Sequence, residues 1–477
     1  MPPRGPSRPV GSPWAPLRGQ AALALLALSL GARLLVGSPP VLHDWDERYH
    51  ALVAKHLAAR PLEPSLVPGG AGAPGEGWTT TSIFLHKPPL ALWTMAAGLR
   101  LLGRSEWALR AGSALLGTAA VALTLSLGAE LFSETAALLA ALSVAIAPEL
   151  LWLTSGGKAT DQVDAQLVFW VTLSAFALWR VARRPGPGAV VLAAVALGGG
   201  LLTKSWPALA ALPAALTVCR GRRPASAIGL AALGGVAAAE PWKLYAAARW
   251  PLAAAAERAY ALRHFVEPLE GHAGGAGFYA VEAFRWLGPA AWLAPLAALP
   301  ALWRPDREGE RFLLLWILVP LAVFGGAATK MNGYLAPEIP ALALLAAGVA
   351  SRWRGAERSA RRLAASALLA SVALWPLAAS ALALPRMLAV PAGYAAFRAR
   401  ASSLARGDVV FNLRWAPQAM FYSDARASED WPTPEGIARL RAAGLRPLLA
   451  RCPETPRPAS APMAAIADLP LPAGCAR

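Results

Sequence analysis

Residues 21–56, AALALLALSLGARLLVGSPPVLHDWDERYHALVAKH, place an apolar run directly before a group of titratable side chains. Residues 21–37 contain a single arginine among small and aliphatic residues, and a helix of such residues can enter the roughly 30 Å hydrocarbon core of a bilayer. Three acids and three histidines follow, namely Asp44, Asp46, Glu47, His43, His50 and His56. We therefore expect a first membrane span with ionisable groups at its far end.

Apolar runs of about 18 residues or more recur along most of the chain. Charged residues make up only 15% of it and the mean hydropathy is +0.43, which argues against a soluble globular protein. The pattern predicts about eleven spans, at 20–38, 108–128, 135–153, 163–181, 187–202, 205–219, 225–245, 278–302, 312–328, 333–350 and 362–384. The expected fold class is an all-α polytopic membrane protein.

The net charge of +17 has a simple explanation in the short loops between the apolar runs. These loops carry Arg180, Arg183, Arg184, Arg220, Arg222, Arg223, Arg304, Arg307, Arg311, Arg352, Arg354, Arg358, Arg361 and Arg362. Basic residues are enriched in the cytoplasmic loops of membrane proteins, so we expect these loops and the N-terminus in the cytoplasm. The charge requires no nucleic-acid partner.

The chain divides into three predicted parts. Residues 1–19 form a Pro-rich, disordered cytoplasmic lead, and residues 20–385 a transmembrane domain with a large outer loop at 39–107. Residues 386–477 form a small extracytoplasmic α/β domain, because DVVFNLRW and LRPLLARC have the pattern of strands and TPEGIARLRAAG that of a helix. Cys452 and Cys475 lie in this tail, where a disulfide is permitted, whereas Cys219 is expected to stay reduced.

The segment DERYHALVAKHL (46–57) is predicted to form a helix along the membrane interface. Asp46 and His50 are four residues apart and share the face opposite its apolar side chains. Acids at a helix start also serve as caps and suit the helix dipole. Capping explains one acid but not the whole cluster, so we expect a functional role for Asp46.

The segment WTTTSIFLHKPPLALW (78–93) contains a lysine directly before two prolines. Pro88 and Pro89 lack backbone donors and hold the chain extended before a helix can begin. Lys87 is thereby fixed near the membrane surface. The alternative is an ordinary snorkelling lysine, but the rigid setting favours an anion-binding role.

Further charged groups share the predicted outer face. The residues that we expect to bind substrate are Lys158, Asp161, Glu267 and Glu270, and Lys204 is expected near a phosphate. A carboxylate can deprotonate an incoming hydroxyl, while cations can stabilise a departing phosphate. Because the outer compartment has no nucleotide pool, this combination favours glycosyl transfer from a lipid-linked donor.

Five motifs carry a resemblance to a known family. They are WDERYHALVAKHL, WTTTSIFLHKPPLALW with SEWALRAGSALLGT after it, SGGKATDQVDAQLVFWVTL, LLTKSWPAL and TKMNGYLAPEIPALALLAAG. Over roughly residues 20–350 the chain resembles the bacterial glycosyltransferase 39 group of the membrane-embedded C-type glycosyltransferases. That group is related to protein O-mannosyltransferases and to lipid A aminoarabinose transferases.

The resemblance implies roles for individual residues. Asp46 would be the base that activates the acceptor, with Glu47 assisting in binding or orientation. Lys87 would hold the donor phosphate, and Lys330 and Tyr334 would lie near the same phosphate. The implied donor is an undecaprenyl- or dolichyl-phosphate sugar, and the implied outcome is inversion at the anomeric carbon.

The resemblance also raises a divalent metal as the one expected cofactor. In the aminoarabinose transferases an acid precedes the KPP lysine, and a metal is associated with it and with a histidine of a later loop. In this chain the corresponding residue is His86, so the expected metal ligands are His86 with His264 or His272.

The sequence leaves several alternatives open. The acceptor is a glycolipid, a polysaccharide or a protein, and membrane lipids are the remaining expected partners. A lipid or sugar transporter would place ionisable groups along a path through the spans, and no internal repeat of the kind common in transporters is evident. A non-catalytic polyprenyl-phosphate-binding assembly protein would use the same cations without needing Asp46.

Overall fold

A computed structural model describes residues 19–67, 79, 82–451 and 466–472. The described part is mainly helical. Its helices are α1 (Gln20–Val36), α2 (Asp46–Ala59), α3 (Pro89–Leu102), α4 (Glu106–Leu131), α5 (Glu134–Ile146), α6 (Pro148–Ser155), α7 (Asp161–Arg183), α8 (Pro187–Lys204), α9 (Leu212–Thr217), α10 (Arg222–Arg249), α11 (Pro251–Val266), α12 (Phe278–Leu287), α13 (Ala290–Ala298), α14 (Glu308–Gly326), α15 (Ile339–Arg354), α16 (Ser359–Met387), α17 (Tyr394–Ser402), α18 (Ala416–Tyr422) and α19 (Pro434–Ala442). Short 3-10 helices span Trp206–Leu209, Leu299–Leu302, Pro305–Arg307 and Asn332–Glu338. The strands are β1 (Asp408–Phe411), β2 (Arg426–Ala427), β3 (Arg446–Arg451) and β4 (Ala467–Pro470).

Six of the described helical segments are long and apolar enough to cross a membrane. They are Glu106–Leu131, Asp161–Arg183, Pro187–Lys204, Pro305–Gly326, Asn332–Arg354 and Ser359–Met387. Helices α5 and α6 would make a seventh span, bent by 40°. The all-α polytopic fold is thus confirmed, and each of the eleven predicted spans falls on helical structure. Some of these are too short or too broken to count by length, among them α1 and the pieces at 206–217 and 278–302.

The break between α5 and α6 explains the arginine in the first span. Pro148 has no backbone N–H, so the carbonyl of Val144 loses its intrahelical partner. The Arg33 guanidinium donates to the carbonyl of Ala145 at 3.0 Å and to that of Val144 at 3.3 Å. Gly117 leaves the space for this side chain, because a Cβ there would lie 2.4 Å from Arg33 Nε. Arg33 therefore completes the hydrogen bonding of a broken span.

The predicted basic loops lie together at one end of the helix bundle. Glu308, at the start of α14, forms ion pairs with Arg183 at the end of α7 and with Arg220. Arg352, near the end of α15, pairs with Glu310 at 2.6 Å. The opposite ends of α7, α8, α14 and α15 converge on the candidate functional site described below.

Near the C-terminus the described residues form a four-stranded parallel sheet of order β2-β1-β3-β4. In its register Val410 lies beside Leu448, and Leu448 beside Ala467. The strands predicted at 408–415 and 445–452 and the helix predicted at 433–444 correspond to β1, β3 and α19. The predicted lead, apart from residue 19, and the two tail cysteines, Cys452 and Cys475, lie outside the described residues.

Candidate functional site

Helix α2 begins at Asp46, and the carboxylate of this residue is 2% exposed. The side chain does not cap its own helix. Instead, Asp46 Oδ2 accepts a hydrogen bond of 2.6 Å from the backbone N–H of Thr160. Thr160 and Asp161 have φ angles of 71° and 40°, in the left-handed region that non-glycine residues seldom adopt. Two such residues in succession, at the N-terminus of α7, are typical of a functional site.

The charges around Asp46 keep it ionised. Burial acts to raise the pKa of the carboxyl, but the cation of Lys87, together with His50, His86 and the Thr160 amide, brings the pKa below its usual value. Asp46 is therefore a carboxylate at neutral pH and can accept a proton.

Glu47 is held by hydrogen bonds away from the cavity. Its two carboxylate oxygens bind Arg110 Nε and Nη2 at 2.7 and 2.8 Å, a bidentate pair that is buried on both sides. Gln162 Nε2 donates to Oε1 at 2.6 Å, and the backbone N–H of His43 donates to Oε2 at 2.9 Å. These contacts favour an orienting role for Glu47, because they fix the loop before α2.

A cavity adjoins Asp46 and encloses about 990 Å³, including its open mouth. The structure brings seven of the predicted site residues to its wall: Asp46, His86, Lys87, Lys204, His264, Glu270 and Tyr334. They come from α2, the KPP segment, the end of α8, α11, the loop after it, and the 3-10 helix at Asn332–Glu338. One cavity thus combines an ionised carboxylate with cations.

Lys87 differs from the other cavity lysine in its pairing. Its side chain is buried, being only 8% exposed, and its ammonium forms no hydrogen bond or salt bridge with any residue that the structure describes. Lys204 is paired with the carboxylate of Asp164 and lies 5.0 Å from the ring centre of Tyr334. Lys87 interacts electrostatically with Asp46 but makes no hydrogen bond or salt bridge to a described residue, so its N–H donors are available to an anionic ligand.

Lys204 belongs to a chain of polar side chains that leads back to Asp46. The Asp164 carboxylate also accepts a hydrogen bond from Thr160 Oγ1. Gly333 packs directly against this pair, since a Cβ there would lie 2.3 Å from Asp164 Oδ2. Backbone packing at Gly333 therefore fixes the residue whose amide binds Asp46.

Two predicted cations do not reach the cavity wall. The Lys330 ammonium donates to the carbonyls of Phe324 at 2.9 Å and Gly325 at 2.6 Å, and also to that of Ala327. It therefore satisfies carbonyls that the end of α14 leaves without intrahelical partners. Lys158 pairs with the buried Glu149.

Three further predicted residues also lie away from the cavity wall. Asp161 is fully buried and accepts from His50 Nδ1 at 2.9 Å. Glu267 forms an exposed ion pair with Arg263. The ring of His272 lies edge-on to another aromatic ring, that of Trp45, at 6.1 Å. The roles predicted for these residues, and for Lys158 and Lys330, stay predictions.

The structure adds residues that sequence reasoning missed. Glu257 lines the cavity and its Oε1 lies 2.9 Å from His86 Nδ1. Burial raises the pKa of Glu257 to about 7, against the opposing effects of Lys87 and His264. Glu257 lies in the Ala-rich PLAAAAERAYALRHFV segment, which offers no motif that would single it out.

An aromatic wall, formed by Trp206, Phe265 and Phe324, was missed as well. The rings of Trp206 and Phe324 are stacked at 5.1 Å, and those of Trp206 and Phe265 lie 5.7 Å apart. All three line the cavity. Trp206 lies two residues after Lys204 within the LLTKSWPAL motif, which was the one sequence signal for this wall, but most tryptophans of such a chain serve as interfacial anchors.

The residues present do not fit the metal site that the resemblance implies. Among the described residues there is no group of three or more His, Cys, Asp or Glu side chains that could hold a metal ion. His86 binds Glu257, and His264 Nδ1 lies 3.1 Å from the carbonyl of Tyr260. His272 is not among the residues that line the cavity. The metal therefore stays a prediction.

The fold and site together define a class of membrane protein. The structure is similar to the crystal structure of ArnT from Cupriavidus metallidurans in the apo state, with a TM-score of 0.62, 17% sequence identity and 85% of each chain covered. For the crystal structure of ArnT from the same organism bound to undecaprenyl phosphate, the TM-score is 0.63, with 16% identity and the same coverage. The archaeal oligosaccharyltransferase AglB from Archaeoglobus fulgidus gives 0.53, with 14% identity over 85% of this chain and 64% of that chain. The protein has the fold of the C-type glycosyltransferases.

Sequence comparisons agree with that fold. Residues 86–238 match the family described as dolichyl-phosphate-mannose-protein mannosyltransferase. The chain is 31% identical over 280 residues to the undecaprenyl phosphate-alpha-4-amino-4-deoxy-L-arabinose arabinosyl transferase of Pseudomonas aeruginosa (strain LESB58), covering 55% of this chain and 49% of the relative. It is 26% identical over 300 residues to the protein of the same name from Edwardsiella ictaluri, covering 59% and 52%. The chain thus spans about half the length of these curated relatives. These matches confirm the resemblance to membrane-embedded C-type glycosyltransferases.

Proposed function

We propose that the protein transfers a sugar from a polyprenyl-phosphate-linked donor to a hydroxyl or phosphate of an acceptor, with Asp46 as the base. The observation that carries this proposal is the pairing of two unlike groups in one cavity. Asp46 is a buried carboxylate, and Lys87 beside it is a buried cation that makes no hydrogen bond or salt bridge to a described residue. A sugar phosphate bound here would place its negative charge at Lys87. Its anomeric carbon would then lie near the acceptor group that Asp46 deprotonates.

The reaction follows from these positions. The donor phosphate binds at Lys87, with Lys204 as the second cation on the wall. Asp46 removes the proton from the acceptor group as its oxygen attacks the anomeric carbon. The bond from that carbon to the phosphate oxygen breaks, and its electron pair leaves on the polyprenyl phosphate, where the lysines stabilise the charge. Attack opposite the leaving group inverts the anomeric carbon.

The aromatic wall of Trp206, Phe265 and Phe324 offers an apolar surface beside the cations. An isoprenoid chain attached to the phosphate could pack there, since its methyl and alkene groups make good contacts with aromatic rings. Undecaprenyl phosphate and dolichol-phosphate are bound by structural relatives. Both remain candidate carriers, and the acceptor is a glycolipid, a polysaccharide or a protein.

We infer that the cavity faces the extracytoplasmic side of the inner membrane and that the N-terminus is cytoplasmic. The support is the arrangement of the spans. Helices α7, α8, α14 and α15 each have one end near the cavity, and the opposite ends of α7, α14 and α15 lie in the basic cluster at Glu308 and Glu310. Basic loops are retained in the cytoplasm, so the cavity and the domain proposed at 386–477 would lie outside.

The deciding experiment uses the full chain in lipid nanodiscs with labelled undecaprenyl- and dolichyl-phosphate sugars and a panel of acceptors. Asp46→Asn keeps the shape of the side chain but removes the base, so we expect kcat to fall by about 10²- to 10⁴-fold. Glu63→Gln is the matched control, because Glu63 forms a surface pair with Arg60. Transfer by Asp46→Asn near the wild-type rate would refute the assignment. Binding of the donor without any transfer by the wild type would favour a non-catalytic assembly protein.

A further inference from the structure

The loop before Asp46 is held from its other side by residues of the C-terminal region. The backbone N–H of Leu42, four residues before Asp46, donates to the hydroxyl of Tyr394 in α17 at 3.1 Å. The Tyr394 hydroxyl lies 3.1 Å from that of Tyr422 in α18, which donates to Glu106 Oε1 at 2.7 Å. Glu106 is the first residue of α4. We call Tyr394, Tyr422 and Glu106 the tyrosine clasp.

The shortest hydrogen bonds of the clasp run in one direction, from Leu42 towards Glu106. The Tyr422 hydroxyl donates to Glu106 Oε1 at 2.7 Å, so its oxygen accepts from Tyr394 at 3.1 Å, while the carbonyl of Leu42, at 3.4 Å, is a more distant second acceptor for the Tyr394 hydroxyl. The Tyr394 oxygen is then free to accept the N–H of Leu42. Burial raises the pKa of both tyrosines, which keeps the two hydroxyl protons in place. Hydrogen bonds aligned in this way polarise one another and define one position for the loop.

The clasp is buried, and a second contact supports it. Tyr394 and Leu42 are almost fully enclosed, at 1% and 0% exposure. Lys55 of α2 donates to the carbonyl of Met420 at 2.6 Å and to that of Ser423, at the end of α18. The helix that begins with Asp46 is therefore attached to the end of α18 through Lys55, while the loop before it is attached through Leu42.

We infer that the tyrosine clasp is a positioning device for the proposed base, so that the C-terminal domain is part of the catalytic machinery rather than an independent appendage. Asp46 is reached from Leu42 through three intervening residues only. A shift of the Leu42 backbone would move Asp46 relative to Lys87 and to the Thr160 amide. Misplacement of a reacting group by about 1 Å can cost about 100-fold in rate. This inference rests on the proposed function, because it assigns what holds the proposed base in place.

A contribution to stability alone would have a different signature. It would reduce the amount of folded protein but leave kcat per folded molecule unchanged. A positioning role lowers kcat per folded molecule while the affinity for the donor, which depends on Lys87, is retained. The distinction can be measured.

The test compares wild type with Tyr394→Phe and Tyr422→Phe, each as the full chain in nanodiscs. Arg446→Gln is the control, because Arg446 pairs with Asp408 within the sheet of the same domain, at 2.7 Å. Two quantities are measured: hydrogen–deuterium exchange of peptides covering Leu42, and kcat and KM per molecule competent to bind undecaprenyl phosphate. In both tyrosine variants we expect faster exchange at Leu42 and a fall in kcat of about 10- to 100-fold, with the KM for the donor within about twofold of wild type. In the Arg446→Gln control we expect none of these changes.

Each other outcome overturns the inference. Unchanged exchange at Leu42 would show that the clasp does not hold the loop, and faster exchange with unchanged kcat would show that holding it does not position the base. An equal loss of kcat in Arg446→Gln would show that the effect comes from the stability of the domain and not from the clasp. A wild-type protein that transfers no sugar would refute the proposed function, whereas the exchange measurement would still decide whether the clasp fixes the loop. If Tyr394→Phe does not fold, the same two measurements on Tyr422→Phe decide the question, because this variant keeps the bond to Leu42 but removes the link from Tyr394 to Glu106.

Discussion

Replacing Lys87 by methionine is the most direct test of the anion site. The substitution keeps most of the apolar stem of a side chain that is only 8% exposed and removes its ammonium. Two unit charges about 4 Å apart interact by roughly 4 kcal/mol at an effective dielectric constant of about 20. Removing one partner of a buried charge pair costs about 2–5 kcal/mol in measured complexes. Taking about 2–4 kcal/mol, the Kd for undecaprenyl phosphate should rise about 30- to 1,000-fold in Lys87→Met.

The assay is calorimetric titration of undecaprenyl phosphate into the protein in nanodiscs, with two further lysine variants for comparison. Lys243→Met removes the same charge from an exposed pair with Glu240, so its Kd should stay within about twofold of wild type. Lys330→Met tests the sequence-based expectation against the structure. The Lys330 ammonium binds carbonyls at the end of α14 and the residue does not line the cavity, so the variant should lose stability, by about 1–3 kcal/mol, with little change in Kd.

Two results would refute this reasoning. A Kd for Lys87→Met within about threefold of wild type would show that Lys87 does not carry the phosphate. A larger loss of affinity in Lys330→Met than in Lys87→Met would show that the end of α14 rearranges to release Lys330 when the lipid binds. In that case Lys330 would contact the lipid phosphate, as its motif suggests.

Two further predictions concern packing and pH. Gly333→Ala should lower kcat at least about tenfold, because its Cβ would lie 2.3 Å from Asp164 Oδ2. Gly326→Ala is the control and should retain the wild-type rate, because no atom lies within 4 Å of the added Cβ. Equal rates in the two variants would contradict the packing argument. On acidification, the loss of kcat/KM that comes from protonating Asp46 should set in only below the usual pKa range of an aspartate, because neighbouring cations outweigh burial at Asp46 and the ionised form is the active one. An inflection near pH 7 should belong to Glu257, whose pKa burial raises to about 7, and should vanish in Glu257→Gln; an inflection that persists there would contradict this assignment.

Much of the fold could be predicted from local sequence patterns. The apolar runs specify helices, because their length and composition match the hydrocarbon core whatever their neighbours are. Helix α3 begins at Pro89 since proline lacks an N–H and fits the first turn, and α2 begins at its two acids, which suit the helix dipole. The strand–helix–strand pattern of the tail has the same local origin. Breaks such as the one at Gly288 were missed, because they depend on how neighbouring helices pack.

Local sequence patterns do not predict which residues share the cavity. Lys87 and Lys330 both follow from motifs, yet only tertiary structure places one on the cavity wall and the other on the carbonyls of α14. Glu257 meets His86 across 171 residues of sequence, and no periodicity encodes such a contact. The sequence by itself determined which segments are helical and which residue types are available for the chemistry. The tertiary structure decided which of those residues share a cavity, because side-chain direction and partnership depend on packing between elements distant in the chain.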